Sequence, residues 1–346
     1  MNKLGFACKY VHPDQTLNKK VLVEYERPLN TRCTTRAWLN RQTPQDAQDR
    51  LWELVKHNIE SIRLLIEYVG NLPEPLRMVR LGSDILPAYT EPTWKRFYTD
   101  DVLDYCEKHL LVAGDLARQR NVRLSMHPGQ FTVLASDNPD IVTNSIIEFE
   151  YHVDIARWMG YGKQFQDFKI NVHISGRRGP EGIKAILPRL SDEARNTITI
   201  ENDEMSHGIE DSLELEKDLA LVLDVHHHWV RTGEYIQPTD DRFKRIIDSW
   251  RGVTPVIHYS YSRNEWLPEG FSHTDFPDMD TLLSQGCKKA KLRAHSDYYP
   301  NRVVNEWALS FGEYADIMCE SKMKNLASIP LYEFRVGKKD SVSTVL

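Results

Sequence analysis

The sequence predicts an α/β fold, a single (β/α)8 TIM barrel with its active site at the C-terminal ends of the strands. Three observations predict it. Short apolar stretches alternate with amphipathic ones along all 346 residues. Several of those stretches are continuous aliphatic runs, as parallel strands covered on both faces require. No repeat, low-complexity tract or Pro/Ser-rich linker divides the chain, so residues 1–325 read as one barrel domain and 326–346 as a C-terminal tail. An open doubly wound sheet is the alternative, but no GxGxxG follows the first strand, which weakens its dinucleotide-binding version.

Taken in order, the expected strands are LGFAC (4–8), RMVRLG (77–82), VRLSM (122–126), FKINVHI (168–174), TITIE (197–201), LALVLDV (219–225), PVIHY (255–259) and ADIMCE (315–320). Helices fall between many of them. Thr43-Pro44 opens one, Leu51, Leu54, Val55, Ile59, Ile62 and Ile66 give it an apolar face, and Gly70 closes it. Asn138-Pro139 opens another, carried by Ile141, Ile146, Phe149, Val153 and Trp158, and Gly160 ends it. Residues 263–280, rich in Pro, Gly and acids, read as an insertion over the barrel mouth, a lid or a strand contact.

Composition narrows the function classes. A net charge of −6 disfavours nucleic acid without excluding it. Thirteen histidines with 50 acids fit bound metal, whose own charge alters the local balance. No apolar window reaches the ~18 residues of a membrane span, and the N-terminus lacks a secretory h-region. Five scattered cysteines without CxxC spacing point to free thiols in a reducing compartment. A cytoplasmic, nucleoid-associated monomer is expected.

The strand ends carry the chemistry. His127 follows strand three, His173 ends strand four and Glu201 ends strand five; Asp224 with His226, His227 and His228 ends strand six. His258 lies on strand seven, Glu320 ends strand eight, and His295 and Asp297 sit in the connection between those two. Any one buried histidine or glutamate is ordinarily a core or loop residue satisfied by its neighbours. Six successive strands ending in metal-competent side chains on one barrel face are not so dismissed. Imidazoles and carboxylates without cysteine suit Zn²⁺, Mn²⁺ or a similar ion. So many ligands exceed one tetrahedral site, so a cluster of two or three ions is expected, with Glu201 as a bridge. Strand alternation places Asp224 and His226 on one face, but a strand ending at Val225 lets His227 turn inward instead, and periodicity leaves the choice open.

The motifs LSMHPGQF, YHVDIARWMG, INVHISG, TIENDE, LDVHHH, IHYS, AHSDY and MCESKMK, with LGFACK and LNTRCTTR nearer the N-terminus, run in order from about residue 3 to residue 325. Together they resemble the UV damage endonuclease (UvdE/UvsE) family, TIM barrels related to endonuclease IV and the xylose-isomerase-like enzymes. The resemblance implies a DNA repair endonuclease that nicks the backbone immediately 5′ of UV photoproducts, leaving a 3′-hydroxyl and using manganese, with zinc or magnesium as alternatives. It implies His127, His173, Glu201, Asp224, His227, His258, His295 and Glu320 as ligands. Glu201, Asp224, His258 and Glu320 are also the expected catalytic set. The family's Asp-x-x-His selects His227 from the triplet. Its lesion-probing Gln-Tyr pair falls on Gln130-Phe131, where phenylalanine keeps the stacking surface and loses the hydroxyl. Two departures stand out: Val256 occupies the place of a lysine expected two residues before His258, and the histidine expected after strand two is missing, with Glu91 the nearest ionisable candidate.

Damaged double-stranded DNA is therefore the expected partner, held by local cations despite the acidic total. The candidates are Arg177 and Arg178 after strand four, Arg32 and Arg36 in the first long loop, and the run Lys288, Lys289, Lys291 and Arg293. Tyr259, Tyr261 and Trp266 could stack on bases or pack loops, and His152 reads as a packing residue. An apurinic endonuclease or a sugar isomerase/epimerase is the alternative on the same barrel, and a non-catalytic DNA-binding protein is the reading from another class.

Overall fold

A computed structural model of the chain describes residues 2–337. Eight parallel strands close into a barrel in sequence order: β1 (Leu4–Ala7), β2 (Met78–Leu81), β3 (Arg123–Met126), β4 (Lys169–His173), β5 (Ile198–Glu201), β6 (Ala220–Asp224), β7 (Val256–Tyr259) and β8 (Asp316–Cys319). Each expected strand is present, trimmed by a residue or so at its ends. The (β/α)8 barrel is therefore the fold, and the open sheet is not.

The first long helix, α1 (Pro44–Gly70), starts where its capping residues predict: Thr43 caps it by accepting from the Asp46 amide, and Pro44 takes the first turn. Leu51, Leu54, Val55, Ile59, Ile62 and Ile66 all face the core. It packs on α2 (Asp100–Gln119), which in turn meets α3 (Pro139–Trp158). Ile141 of α3, expected on the apolar face, is exposed, while Phe149 and Val153 are buried. Gly114 of α2 lies so close to the end of α3 that an added Cβ would sit 1.9 Å from the Met159 carbonyl oxygen.

Strand alternation sorts the side chains. On β4, Ile170 and Val172 join the main apolar core, whereas Lys169, Asn171 and His173 belong to the opposite parity. A second small apolar cluster of Ala7, Met78, Ala220, Val222, Trp250, Val256 and Met318 includes residues of several strands in the parity opposite the main core. Register sets the height of the polar residues: His173 pairs with Glu201, and Asp224 with His258. The four strand-end groups thus form two level pairs, with Asp224 two residues beyond Val222, the β6 partner of Glu201.

Two local outcomes refine the sequence reading. Strand six stops at Asp224 and helix α4 (Val225–Thr232) begins at once, so His226, His227 and His228 are helical. Residues 263–280 are tied down by Tyr235 Oη donating to the Pro277 carbonyl, by Asn301 donating to the Asp275 carbonyl and by buried Leu267. After β8, helix α5 (Asn325–Arg335) buries Ala327, Ser328 and Leu331 and packs on β1. Residues 338–346 of the expected tail lie outside the described residues. Among the described residues no helix is long and apolar enough to cross a membrane.

Candidate metal centre

A cleft of about 440 Å³ opens at the C-terminal ends of the strands, bordered by His127, His173, His227, His295 and Glu320. Glu201 is its fully buried floor and touches groups from several strands. His127 Nε2 lies 3.2 Å from Glu201 Oε2, and His173 Nδ1 lies 4.0 Å from the same oxygen. His258 Nδ1 lies 2.9 Å from Glu201 Oε1 and 3.4 Å from Glu320 Oε1. His227 Nδ1 is 3.8 Å from Glu201 Oε1, and its Nε2 is 3.8 Å from Asp224 Oδ2. His295 Nδ1 is 4.0 Å from Glu320 Oε2. All eight side chains expected as ligands therefore converge.

Two sets of donor atoms fall within reach of a single ion each, His127–His173–Glu201 and Glu201–Asp224–His258, with Glu201 common to both. Backbone carbonyls hold several of the rings. His127 donates Nδ1–H to the Pro128 carbonyl at 2.9 Å, His227 to Asn202 at 3.2 Å and His295 to Glu320 at 2.9 Å. In the neutral ring each of these bonds leaves Nε2 as the lone-pair nitrogen, which is how metal-binding histidines are usually oriented.

The donor set fits divalent cations on two counts. Asp224 Oδ2 and His173 Nδ1 are buried with no hydrogen-bond partner among the described residues, and such atoms are costly unless something else satisfies them. Acid is also in surplus. Burial next to Glu201 and Glu320 pushes the Asp224 carboxyl up. Burial alone would lower the His227 imidazole, but Asp224, Glu201, Glu204 and Glu320 outweigh it and hold it at about 9. Both shifts say that the centre attracts positive charge.

Two cations missed by the sequence reading temper that surplus. Arg80 of β2 pairs with Glu320, which Arg80 and His258 hold well below the carboxylate range despite burial. Lys169 of β4 sits 3.0 Å from His258 Nε2, fully buried, and burial lowers its ammonium to about 7. Lys169 thus reaches His258 from across the barrel, while Val256, at the position where a lysine is expected, packs in the small apolar cluster. A lysine inside an aliphatic strand, in phase with His173, was the available signal. Asn171 and Asn202 were missed too. Asn171 donates to Glu201 and accepts from Thr199. Asn202 exchanges hydrogen bonds with the Asp224 backbone, at 2.9 and 3.1 Å. Glu204 was missed as well; it lies between His227, at 3.8 Å, and Arg293, at 2.8 Å.

Other expectations are corrected. Tyr259 cannot meet DNA: it is fully buried, stacked on Tyr299, and its hydroxyl donates to Asn305. Tyr261 is buried as well, with its hydroxyl against His273. Glu91 is not at the centre, because it is held by Arg36 and the Trp94 amide. Asp297 is exposed and borders no part of the cleft, so it completes no ligand shell. His226 bonds the Leu292 carbonyl and His228 bonds Glu234, which leaves His227 alone of the three in the cleft.

At the rim, Gln130 borders the cleft and Phe131 is 69% exposed. The Phe131 ring lies over Gly129, where a Cβ would come within 2.5 Å of Cε1. Arg177 and Arg178 are exposed on the loop after β4, Arg177 being paired to Asp137 at 3.3 Å. His152 is a packing residue: its Nδ1–H donates to the Glu148 carbonyl at 2.7 Å, and its Nε2 lies 3.0 Å from Ser83 Oγ, which is also within hydrogen-bond reach of the His127 carbonyl at 3.1 Å.

The UV-endonuclease UvdE family matches residues 3–345. The chain is 27% identical over 299 residues to the UV DNA damage endonuclease of Bacillus cereus (strain G9842), covering 84% of each chain. It is 26% identical over 318 residues to that of Bacillus thuringiensis subsp. konkukian (strain 97-27), covering 87% of this chain and 89% of the relative. Among solved structures, the crystal structure of SacUVDE superposes with a TM-score of 0.71 at 20% identity, covering 98% of both chains. Endonuclease IV from Thermus thermophilus superposes with a TM-score of 0.51 at 14% identity, covering 80% of this chain and 93% of that one.

Proposed function

The chain belongs to the UV-endonuclease UvdE family, and from that premise we propose that it nicks duplex DNA immediately 5′ of UV photoproducts in a divalent-metal-dependent reaction. The carrying observation is the convergence of eight imidazoles and carboxylates, the shared Glu201 among them, from six strand ends, the start of α4 and the β7–β8 connection. Cyclobutane dimers and 6-4 photoproducts are the proposed lesions, with abasic sites as a secondary substrate. Mn²⁺, which the family resemblance implies, is the proposed ion, in two or three positions; oxygen and nitrogen donors without sulfur suit it as they suit Zn²⁺.

Phosphodiester hydrolysis needs a nucleophilic water at neutral pH and neutralisation of charge on the phosphate, and divalent cations supply both when bound. His127, His173 and Glu201 would hold one, and Glu201, Asp224, His258 and Glu320 another, with His227 and His295 available to a third. Lys169 and Asn171 orient His258 and Glu201 from below. Arg80 balances the Glu320 carboxylate and keeps it ionised. No serine or cysteine nucleophile is required.

Lesion choice belongs to the rim. A photoproduct stacks poorly, so the duplex opens there at lower cost, and Gln130-Phe131 would fill the gap left in the stack. Exposed Phe131 beside a polar cleft suits a nucleobase stack better than a closed sugar pocket. The test is a duplex labelled at both ends and carrying one cyclobutane dimer. The expected product is a single cut directly 5′ of the dimer, whose 3′ end a polymerase extends. Phe131→Ala should lower discrimination between damaged and undamaged DNA by ~1–3 kcal/mol, the worth of one stacked base. Cutting restricted to abasic duplex would overturn this reading.

A further inference from the structure

The cleft does not end at the ligand cluster. Beyond His295 and Glu320 it opens into a second groove of about 560 Å³ bordered by Trp266, Lys291, Arg293, Lys322 and Lys324. In a chain of net charge −6, this is a local concentration of four cations. Lys291 Nζ lies 4.3 Å over the Trp266 ring, which fixes the ammonium at the groove wall. Arg293 is taken by Glu204. No carboxylate among the described residues forms an ion pair with Lys291, Lys322 or Lys324; Glu265, which feels Lys322, is committed to Arg263. Lys324 is held at φ +50°, a backbone state that a lysine adopts at a cost.

The position of the groove in the barrel matters as much as its charge. Its residues come from the β7–β8 connection and the turn after β8, whereas Gln130-Phe131 follow β3. In the closed strand order β3 and β7 are four strands apart, on opposite sides of the mouth. The ligand cluster lies between them. DNA probed at one side and cut at the centre must run out over the other.

We propose that the groove of Trp266, Lys291, Lys322 and Lys324 is a lesion-independent phosphate clamp, holding the DNA backbone on the side of the cut opposite to Gln130-Phe131. The clamp rests on the endonuclease reading above and adds a division of labour to it. The β3 side senses damage, and the β7–β8 side contributes affinity that carries no information about the lesion, because phosphates are the same in damaged and undamaged DNA.

The experiment titrates manganese-loaded enzyme against an undamaged fluorescent duplex between roughly 50 and 200 mM salt, where each lost phosphate contact lowers the slope of log affinity on log salt by about 0.9. Lys291→Gln/Lys322→Gln should lower that slope by about 1.8 relative to wild type, at two contacts of about 0.9 each. It should weaken undamaged-duplex binding and raise KM for dimer nicking by the same factor. Lys291→Arg/Lys322→Arg should keep the wild-type slope, and so should Lys217→Gln, an exposed lysine on the loop leading into β6. An unchanged slope in the Gln double variant, with nicking intact in wild type, would overturn the clamp alone. So would a loss confined to dimer-containing duplex. Wild-type protein that neither binds nor nicks DNA would overturn the endonuclease reading and the clamp with it.

Discussion

At the scale of single residues, the centre is made by side chains whose second atoms are already spoken for. His227 illustrates it. Asp224 caps α4 by accepting the His227 amide at 2.7 Å, and Asn202 takes its Nδ1–H, so Nε2 is aimed at the cleft. Sequence could place Asp224 and three histidines at a strand end. It could not choose among the three, because that choice depends on the helix starting at Val225 and on partners far away in sequence. The same holds for Tyr259, whose hydroxyl finds Asn305 in the core. His152 carries a prediction. It is fully buried, and burial lowers its imidazole to about 4 from an ordinary 6.5. Between those values the unfolded chain binds more protons than the folded one. The stability this neutral histidine represents is therefore present above pH 6.5 and lost as pH falls towards 4. At pH 5 the loss is about 2 kcal/mol. Urea unfolding at pH 7 and pH 5 should show His152→Gln losing about that much less than wild type; equal losses would mean that His152 titrates normally.

At the scale of elements, the barrel was the most legible part of the sequence. Aliphatic strand runs, Thr43-Pro44 and Asn138-Pro139 each announce their element through local chemistry alone, and both helices begin there. What sequence did not announce were the inward polar residues Arg80, Lys169 and Asn171. Each sits in a strand where period-two alternation gives it an inward direction but names no partner, and the partners lie on other strands or beyond their ends: Glu320, His258 and Glu201. Helix packing yields its own prediction. With Gly114 pressed against the Met159 carbonyl, Gly114→Ala forces α2 away from the end of α3. It should destabilise the protein by ~1–3 kcal/mol, the usual range for overpacking, seen as a lower thermal midpoint. An unchanged midpoint would show that the α2–α3 contact yields freely.

At the scale of the whole molecule, one barrel mouth gathers three tasks: a probing rim after β3, a ligand cluster at the centre and a cationic groove after β7 and β8. The acidic total charge hides this, since the cations that matter are local and the acids of the centre are expected to be neutralised by bound ions. The central claim is that Glu201 joins the ligand cluster and that the cluster cuts DNA at UV damage. The most direct measurement pairs metal content with single-turnover nicking, for wild type and Glu201→Gln, on duplexes that are undamaged, abasic or carry one cyclobutane dimer. Wild type should hold at least two equivalents of Mn²⁺ and cut the dimer duplex in preference to the undamaged one. Glu201→Gln should lose bound metal and slow that cut by about 100-fold or more, at least the effect of removing a residue that only orients a metal ligand. A Glu201→Gln enzyme with full metal content and wild-type nicking would contradict the account.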